Sequence, residues 1–341
     1  MARTVPTEGT PSNRRVQFLK ALTGAWSWLF LLLVLIFFEV WARVSYGSTF
    51  LGRVYSVQSI LLATTQILMI ALGLTFVIIS AGIDLSIAFT AGLAAVTMAV
   101  VVRALAAQPP LVGFLAGFIA ALAVATLPGL VNGWMISRLN VPSFIGTLGM
   151  YGIARGMAFL VAGGGTVAIR NPVVTEFGNG RVFGVVPIPV LVAGIFTLFF
   201  HYLLSQTKFG LYTYAMGGNL NAAVRAGVNT KRHTLILYML SALTAGVAGV
   251  IYTARFSAGA VDAGEPVLLY AVAAVFIGGA SLTGGSGTIS GTVIGSLIIA
   301  VIQFGLVFIN VPPYYQFVAV GLVIIVAVLI DQSRDRLARL T

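Results

Sequence analysis

The chain has 341 residues, of which 59% are hydrophobic and 8% are charged, whereas about 25% of the residues of a soluble domain are charged. This composition excludes an ordinary soluble domain, and the absence of cysteine excludes disulfides and thiol chemistry. Repeated apolar runs, long enough to cross a hydrocarbon core of about 30 Å, predict an all-α integral membrane protein embedded in a lipid bilayer.

The first predicted element is a polar, basic N-terminal tail at 1–24, followed by the apolar run WSWLFLLLVLIFFEVW. No small-residue cleavage site follows that run, so we interpret it as a retained transmembrane helix and not as a signal peptide. The pattern predicts one transmembrane domain at 25–331 and a C-terminal tail at 332–341. The ten predicted transmembrane helices are 25–45, 57–80, 86–104, 111–137, 143–162, 187–205, 233–254, 267–281, 287–310 and 314–331.

The basic residues predict the orientation of these helices. An even number of crossings places both termini on one side, and that side carries twelve Lys and Arg residues against six on the other. Because cytoplasmic loops carry the excess of positive charge, both termini are predicted to be cytoplasmic. The net charge of +11 is therefore mainly a topology signal. It does not indicate a nucleic-acid partner, since no basic patch with interleaved aromatic residues occurs.

The stretch VIISAGIDLSIA, between the second and third helices, contains Asp84, the only acidic residue between Glu39 and Glu176. A carboxylate at the centre of a bilayer costs about 2.5–3.5 kcal/mol, so this one needs a compensating environment. Three interpretations remain open. Asp84, with Ser86 two residues later, caps the next helix; it pairs with Arg155; or it faces a solute path. We rank the cap first, pairing second and solute contact third.

Arg155 falls well inside the predicted transmembrane helix 143–162, and it lies between Gly152 and Gly156. Two interpretations remain open here as well. Its guanidinium either donates to solute oxygens in a path, or is buried and satisfied by backbone carbonyls and Asp84. We favour the second.

The largest predicted cytoplasmic segment contains a short helix with clear start and end signals. Gly217 and Gly218 precede Asn219, a favourable N-cap; residues 220–226 have helical character; and Gly227 occupies a position typical of a left-handed C-cap. The spacing places three apolar side chains on one face, those of Leu220, Ala223 and Val224. The helix either docks a cytoplasmic partner through this face or rests on the membrane surface, and the pattern does not choose between the two.

A glycine-rich stretch, FIGGASLTGGSGTISGTVIG, occupies 276–295. It lacks the lysine of a phosphate-binding loop, so we interpret its glycines as sites of close helix contact. The only histidines, His201 and His233, lie apart from any carboxylate, and neither a metal site nor a catalytic triad can be assembled. A membrane enzyme is therefore not predicted.

Five segments together resemble one family, the permease subunits of bacterial sugar ABC importers of the ribose, xylose, galactose and autoinducer-2 type. They are GLTFVIISAGIDLS (73–86), NVPSFIGTLGMYGIARGMA (140–158), TKFGLYTYAMGGNLNAAVRAGV (207–228), YMLSALTAGVAGVIYTARF (238–256) and AAVFIGGASLTGGSGTISGTVIGS (273–296). One match would be weak, but five in the same order are specific, and they extend over most of the chain.

The resemblance implies a multi-pass protein of the bacterial inner membrane that moves a monosaccharide or related polyol. It implies three partners: an ABC ATPase subunit, an extracytoplasmic solute-binding protein and a second permease, identical or paralogous. ATP would be bound by the ATPase, so no cofactor is expected in this chain. The residues that match the family's ATPase-docking segment are Gly217, Gly218, Asn219, Ala222, Ala223 and Gly227.

The chain departs from the family pattern before the last glycine-rich segment. The family often has two acidic residues there, whereas this chain has LLYA at 268–271, with Asp262 and Glu265 nearby but out of register. The departure implies a solute that differs from a typical pentose. The alternative function is a stand-alone secondary transporter or facilitator in which Asp84 carries a proton. Such a carrier needs no docking helix, which is the feature that distinguishes the two.

Overall fold

The structure, a computed structural model, describes residues 12–312, 314–323 and 325–326, with side chains from Trp26 onward. The two ends of the chain, 1–11 and 327–341, lie outside the described residues, and with them most of the predicted tails and the end of the tenth predicted helix. The helices are α1 (Ser12–Tyr46), α2 (Val54–Ile79), α3 (Ile87–Ala104), α4 (Pro110–Arg138), α5 (Ser143–Ala162), α6 (Pro172–Asn179), α7 (Ile188–Ser205), α8 (Lys208–Gly218), α9 (Leu220–Arg225), α10 (Thr230–Phe256), α11 (Glu265–Ile277), α12 (Ile289–Phe308) and α13 (Tyr314–Val323).

Eight of these helices are long and apolar enough to cross a membrane, counted over the residues that the structure describes. They are the second half of α1 (Trp26–Tyr46) and the whole of α2, α3, α4, α5, α7, α10 and α12. The all-α membrane class predicted from the sequence is confirmed. The bounds also agree closely where the apolar run is clean, as in α5, predicted at 143–162.

The eighth predicted helix, 267–281, differs from the structure. The helix found there, α11, has 13 residues, about 20 Å at 1.5 Å per residue, and is too short to cross a core of about 30 Å. The five residues before it, 260–264, are neither helix nor strand. Residues 260–277 therefore consist of irregular backbone followed by a short helix, an arrangement that the apolar run alone did not predict.

Strand structure is confined to four two-residue segments in the described chain. Strand β1 (Val167–Ala168) pairs antiparallel with β4 (Ala258–Gly259), and β2 (Arg181–Val182) pairs antiparallel with β3 (Val186–Pro187). The first pair joins the loop after α5 to the end of α10. Both pairs lie in the loop between α5 and α7 or join that loop to the end of α10.

The core is built around α2, the most buried of the candidate transmembrane helices, with α10, α11 and α12 packed against it. Helix α10 also packs closely against α4 through glycines. A Cβ atom at Gly129 would lie 2.5 Å from the Cβ of Ala242, and one at Gly133 would lie 2.8 Å from the Cα of Leu235. Small residues allow such close backbone approach, which drives helix association where no hydrophobic effect operates between helices.

Candidate docking and solute-path sites

The short helix α9 has the boundaries that the sequence predicts. The Asn219 side chain accepts a hydrogen bond from the Ala222 amide at 2.9 Å, as an N-cap does. Gly227 has φ +84° and donates to the Val224 carbonyl, while the next amide, that of Val228, donates to Ala223 at 3.1 Å. This pair of bonds is a Schellman motif. Local hydrogen bonds therefore define both ends of α9.

The exposed face of α9 is narrower than predicted. Val224 is 52% exposed and Leu220 is similarly exposed, but Ala223 is only 3% exposed and packs inward. The physical reason is angular: three residues spaced i, i+3 and i+4 cover about 100° of a helix circumference, and Ala223 lies at the edge that rests on the rest of the chain. The prediction that all three form the free surface is corrected to Leu220 and Val224, while Ala222 is exposed on the opposite side of the helix.

The two predicted docking glycines at the end of α8 have different surroundings. A Cβ at Gly217 would collide with the Ile79 carbonyl oxygen and lie 2.5 Å from the Gly285 nitrogen, whereas Gly218 faces open space. The Gly285 amide itself donates to the Ile79 carbonyl at 2.8 Å. The end of α8 thus rests where the chain leaves α2 and where it approaches α12, directly beside α9.

A second contact joins α8 to the same region. The Tyr214 hydroxyl donates to the Gly287 carbonyl at 2.6 Å. Burial raises the pKa of the Tyr214 hydroxyl, so it stays protonated and able to donate at physiological pH. Movement of α9 would therefore be transmitted through α8 to the ends of two membrane-crossing elements.

Asp84 lies in the break between α2 and α3 and is 1% exposed. Its Oδ1 accepts hydrogen bonds from the Ser86 amide at 3.1 Å and the Ser86 hydroxyl at 2.6 Å. Its Oδ2 accepts from the Ser241 hydroxyl of α10 at 2.7 Å. The Asn132 amide nitrogen of α4 donates to the Ser86 hydroxyl at 2.8 Å. Asp84 therefore lies at the start of α3. Its hydrogen bonds connect the α2–α3 break directly to α10 and, through Ser86, to α4.

Sequence reasoning missed the two distant members of this network, Asn132 and Ser241. The available signal was that each is a polar side chain inside a long apolar helix. The Asn132 Oδ1 atom is buried and has no hydrogen-bond partner among the described residues.

Arg155 is not brought near Asp84. It lies on the exposed face of α5, and its guanidinium carbon is 5.0 Å from the centre of the Phe89 ring. The ion pair found among the described residues is a different one, Arg43 with Glu39 at 2.8 Å. The interpretation that Asp84 pairs with Arg155 is therefore wrong for the described part of the chain, and Arg155 is not buried.

Two further polar groups share the Arg155 face. The Tyr151 hydroxyl donates to the Glu265 Oε1 atom at 3.3 Å, and Glu265 is exposed. The Tyr151 ring meets the Phe89 ring edge-to-face, with centroids 4.5 Å apart. Sequence reasoning noted Glu265 only as an acidic residue out of register with the family pattern before 268–271, and it did not identify Tyr151.

These features define a class of protein: a multi-helix membrane protein with a short exposed helix beside the ends of α2 and α12 and with polar side chains on an exposed face of α5. Residues 56–328 match the family described as "Branched-chain amino acid transport system / permease component". The match extends over most of the chain, which therefore belongs to this family.

Curated relatives are similar over most of their own length. The chain is 38% identical to the "Ribose import permease protein RbsC" of Escherichia coli strain K12, over 96% of this chain and 100% of that protein. It is 34% identical to the "L-arabinose ABC transporter permease protein AraH" of Azospirillum brasilense, over 89% of this chain and 87% of that protein. It is 35% identical to the "D-allose transport system permease protein AlsC" of E. coli K12, over 81% and 83%. The comparison with solved structures gave no match.

Proposed function

We propose that the chain is the permease subunit of an ATP-binding-cassette importer, which moves a monosaccharide or related polyol across the bacterial inner membrane. The similarity to three sugar permeases over most of their length supports this class of solute. The observation that carries the ATPase-driven mechanism is α9, a helix that is capped at both ends, apolar on its exposed face and joined through α8 to the membrane-crossing elements.

The proposed division of labour leaves this chain without an enzymatic role or a cofactor. A separate ATPase subunit binds and hydrolyses ATP and docks against α9. An extracytoplasmic binding protein delivers the solute to the other side. The docking contacts come from Leu220 and Val224 on one face, with the exposed Ala222 on the opposite side of the helix, while Gly217, Asn219, Ala223 and Gly227 hold the helix in place and Gly218 lies at its edge.

The proposed topology has ten crossings and both termini in the cytoplasm. The eight long helices supply eight of them, and α11 with its irregular approach and α13 supply the other two. One transmembrane domain then occupies 25–331, between cytoplasmic tails at 1–24 and 332–341. The distribution of Lys and Arg supports this orientation.

The functional unit is proposed to contain a second permease, identical or paralogous. A charged side chain on the exposed face of a membrane helix is costly in lipid, so such residues face protein or water. The exposed face of α5, with Arg155, therefore faces the partner permease or the path between the two.

The docking helix is tested by affinity purification of the tagged chain from its native membrane, followed by mass spectrometry. We expect a stoichiometric ATPase subunit. Val224→Asp places a charge in the apolar contact and is expected to lower the recovered ATPase at least about tenfold, the loss of about 1.4 kcal/mol or more.

The matched control is Val185→Asp, because Val185 is the same residue type, is 55% exposed and lies in the turn between β2 and β3. It should leave the ATPase bound. A stable chain that recovers no ATPase and moves solute under an ion gradient alone would contradict the proposal and indicate a secondary transporter.

A further inference from the structure

The segment before α11 descends into the depth of the helices. Its Val261 carbonyl lies against Gly92 of α3, where a Cβ would collide with it. Two residues later, the Ala263 carbonyl accepts a hydrogen bond from the Gln66 side-chain amide at 2.8 Å. Gln66 lies near the middle of α2. Helix α11 therefore begins about halfway across the helical domain.

The residue at that halfway point is Glu265, the first of α11, and it is exposed. Irregular backbone at membrane depth is tolerated where it is buried in protein or lines a water-filled cavity. Ionisable side chains at that depth face a bundle interior or a water-filled cavity. The Ala263 carbonyl is satisfied by Gln66 inside the protein, whereas the exposed Glu265 carboxylate requires water or a polar ligand.

Helix α5 brings two more polar groups to the same depth. Arg155 lies twelve residues after Ser143, about 18 Å along an α5 axis of about 30 Å. Tyr151, one turn earlier, reaches Glu265. Phe89 contacts both residues, through the Tyr151 ring and beneath the Arg155 guanidinium. One wall therefore carries a cation, a carboxylate, a phenol and an aromatic floor.

This wall has open bonding capacity. Glu265 accepts from Tyr151 through one oxygen, and no described residue bonds the other. No carboxylate pairs with Arg155 in the described chain, and its guanidinium has five N–H donors. A Cβ at Gly152 or Gly156 of α5 would meet no atom within 4 Å, so there is room beside these groups.

We propose that Tyr151, Arg155 and Glu265 form a solute-contact site, halfway along the transport path, for a neutral solute rich in hydroxyl groups. Guanidinium donors, carboxylate acceptors and a phenol that does both match the paired donor and acceptor roles of neighbouring hydroxyls. One positive and one negative group leave no net charge to attract an ion. This site rests on the proposed function, since it assumes that a sugar or polyol passes through the chain.

The Glu265 contact lies within one chain, which favours a solute over a second permease as the occupant. Glu265 is already oriented by Tyr151 and does not need a partner subunit to hold it in place. A pairing of Arg155 with Glu265 of another copy is the competing occupant, and the experiment separates the two.

The test uses the complex recovered with the tagged chain, reconstituted in proteoliposomes with its binding protein, and measures uptake of radiolabelled D-ribose, L-arabinose, D-xylose and D-allose beside ATP hydrolysis. We expect Glu265→Gln and Arg155→Gln to lower uptake per ATP hydrolysed at least about tenfold, because a site built to bond hydroxyls loses its partners. Tyr151→Phe should give a smaller loss. The control is Arg138→Gln, an exposed cation at the end of α4, which should leave both rates unchanged.

Two results would overturn the proposed solute-contact site. The first is unchanged solute uptake by the Glu265→Gln and Arg155→Gln variants. Recovery of uptake by the charge exchange Arg155→Glu with Glu265→Arg would also do so, since it would assign these residues to a contact between permeases. Failure of the unaltered complex to take up any of the four sugars would instead contradict the proposed function, and the site with it.

A second measurement does not depend on transport. The chain has no cysteine, so one thiol can be introduced at Gly152 and labelled with a water-soluble methanethiosulfonate reagent. Gly152→Cys should react, and more slowly in excess of a transported sugar. The exposed Leu198→Cys on α7 should not react, since that position faces lipid. Equal labelling at the two positions, or no effect of any of the sugars, would contradict the site.

Discussion

At the scale of single residues, Asp84 is bonded by one near neighbour and one distant residue. Ser86 is two residues away, while Ser241 is on α10. The carboxylate accepts three hydrogen bonds, and each donor would be left without its acceptor if the carboxylate were removed. This arrangement indicates that Asp84 positions the α2–α3 break, and its burial leaves no surface for a solute.

Asp84→Asn should retain most transport, since the amide oxygen still accepts from Ser86 and the Ser241 hydroxyl can rotate to accept from the new amide nitrogen. Asp84→Ala removes both acceptors and should lower the unfolding free energy by about 2–4 kcal/mol. Thermal unfolding of the purified chain in detergent measures the difference. If Asp84→Asn folds and assembles normally but transports nothing, the carboxylate has a direct role in transport and the positioning role is wrong.

The residue scale also separates what local sequence can predict from what it cannot. The cap at Asn219 and the left-handed Gly227 were predictable because their partners lie within a few residues. The bond of Ser241 to Asp84, the bond of Asn132 to Ser86 and the contact of Tyr151 with Glu265 depend on helices packed from distant parts of the chain. Polar residues in apolar helices indicated that partners exist, but not which ones.

At the scale of elements, α8 connects the proposed docking helix, α9, to the rest of the helical domain. Its last turn touches the end of α2 and the loop before α12 through backbone atoms at Gly217, and Tyr214 bonds the same loop. Backbone contacts of this kind leave no side chain that can move aside. A displacement of α9 therefore shifts both crossings together.

Adjacent glycines allow this connection to be tested. Gly217→Ala places a methyl group against the Ile79 carbonyl, while Gly218→Ala places one in open space. We expect the first to lower solute uptake per ATP hydrolysed at least about tenfold and to cost about 1–3 kcal/mol of stability, as overpacking does, and the second to leave both nearly unchanged. Uptake and ATP hydrolysis in proteoliposomes measure the coupling. Equal behaviour of the two variants would refute a role for the Gly217 contact.

The length of an apolar run was enough to predict the bounds of most of the candidate membrane helices. Eight of the predicted helices correspond to candidate membrane helices whose described bounds lie within a few residues, because a long apolar run has few other ways to satisfy its backbone in lipid. For the predicted helix 267–281 the structure has α11 at Glu265–Ile277, which begins within two residues of the prediction, ends four residues earlier and follows irregular backbone. The hydrogen bond from the Gln66 side chain to the Ala263 carbonyl joins residues far apart in sequence, so it cannot be predicted from local hydropathy.

At the scale of the whole molecule, the proposed mechanism requires the docking helix and the delivery side to lie on opposite faces of the membrane. Helix α9 follows α8 at one end of the helical domain, while the β2–β3 turn belongs to the long loop between α5 and α7. The distribution of Lys and Arg assigns α9 to the cytoplasm and that loop to the outside. Every proposed contact, with ATPase and with binding protein, depends on this assignment.

The absence of cysteine allows one thiol at a time to report the side. Phe183 is 95% exposed in the β2–β3 turn, and Val224 is an exposed residue of α9. In intact cells with a permeable outer membrane, an impermeant maleimide should label Phe183→Cys and not Val224→Cys, and inside-out vesicles stripped of peripheral subunits should reverse the pattern. Labelling of both positions from one side would contradict the proposed number of crossings. A reversal of the two patterns would place α9 outside and remove it from any contact with a cytoplasmic ATPase.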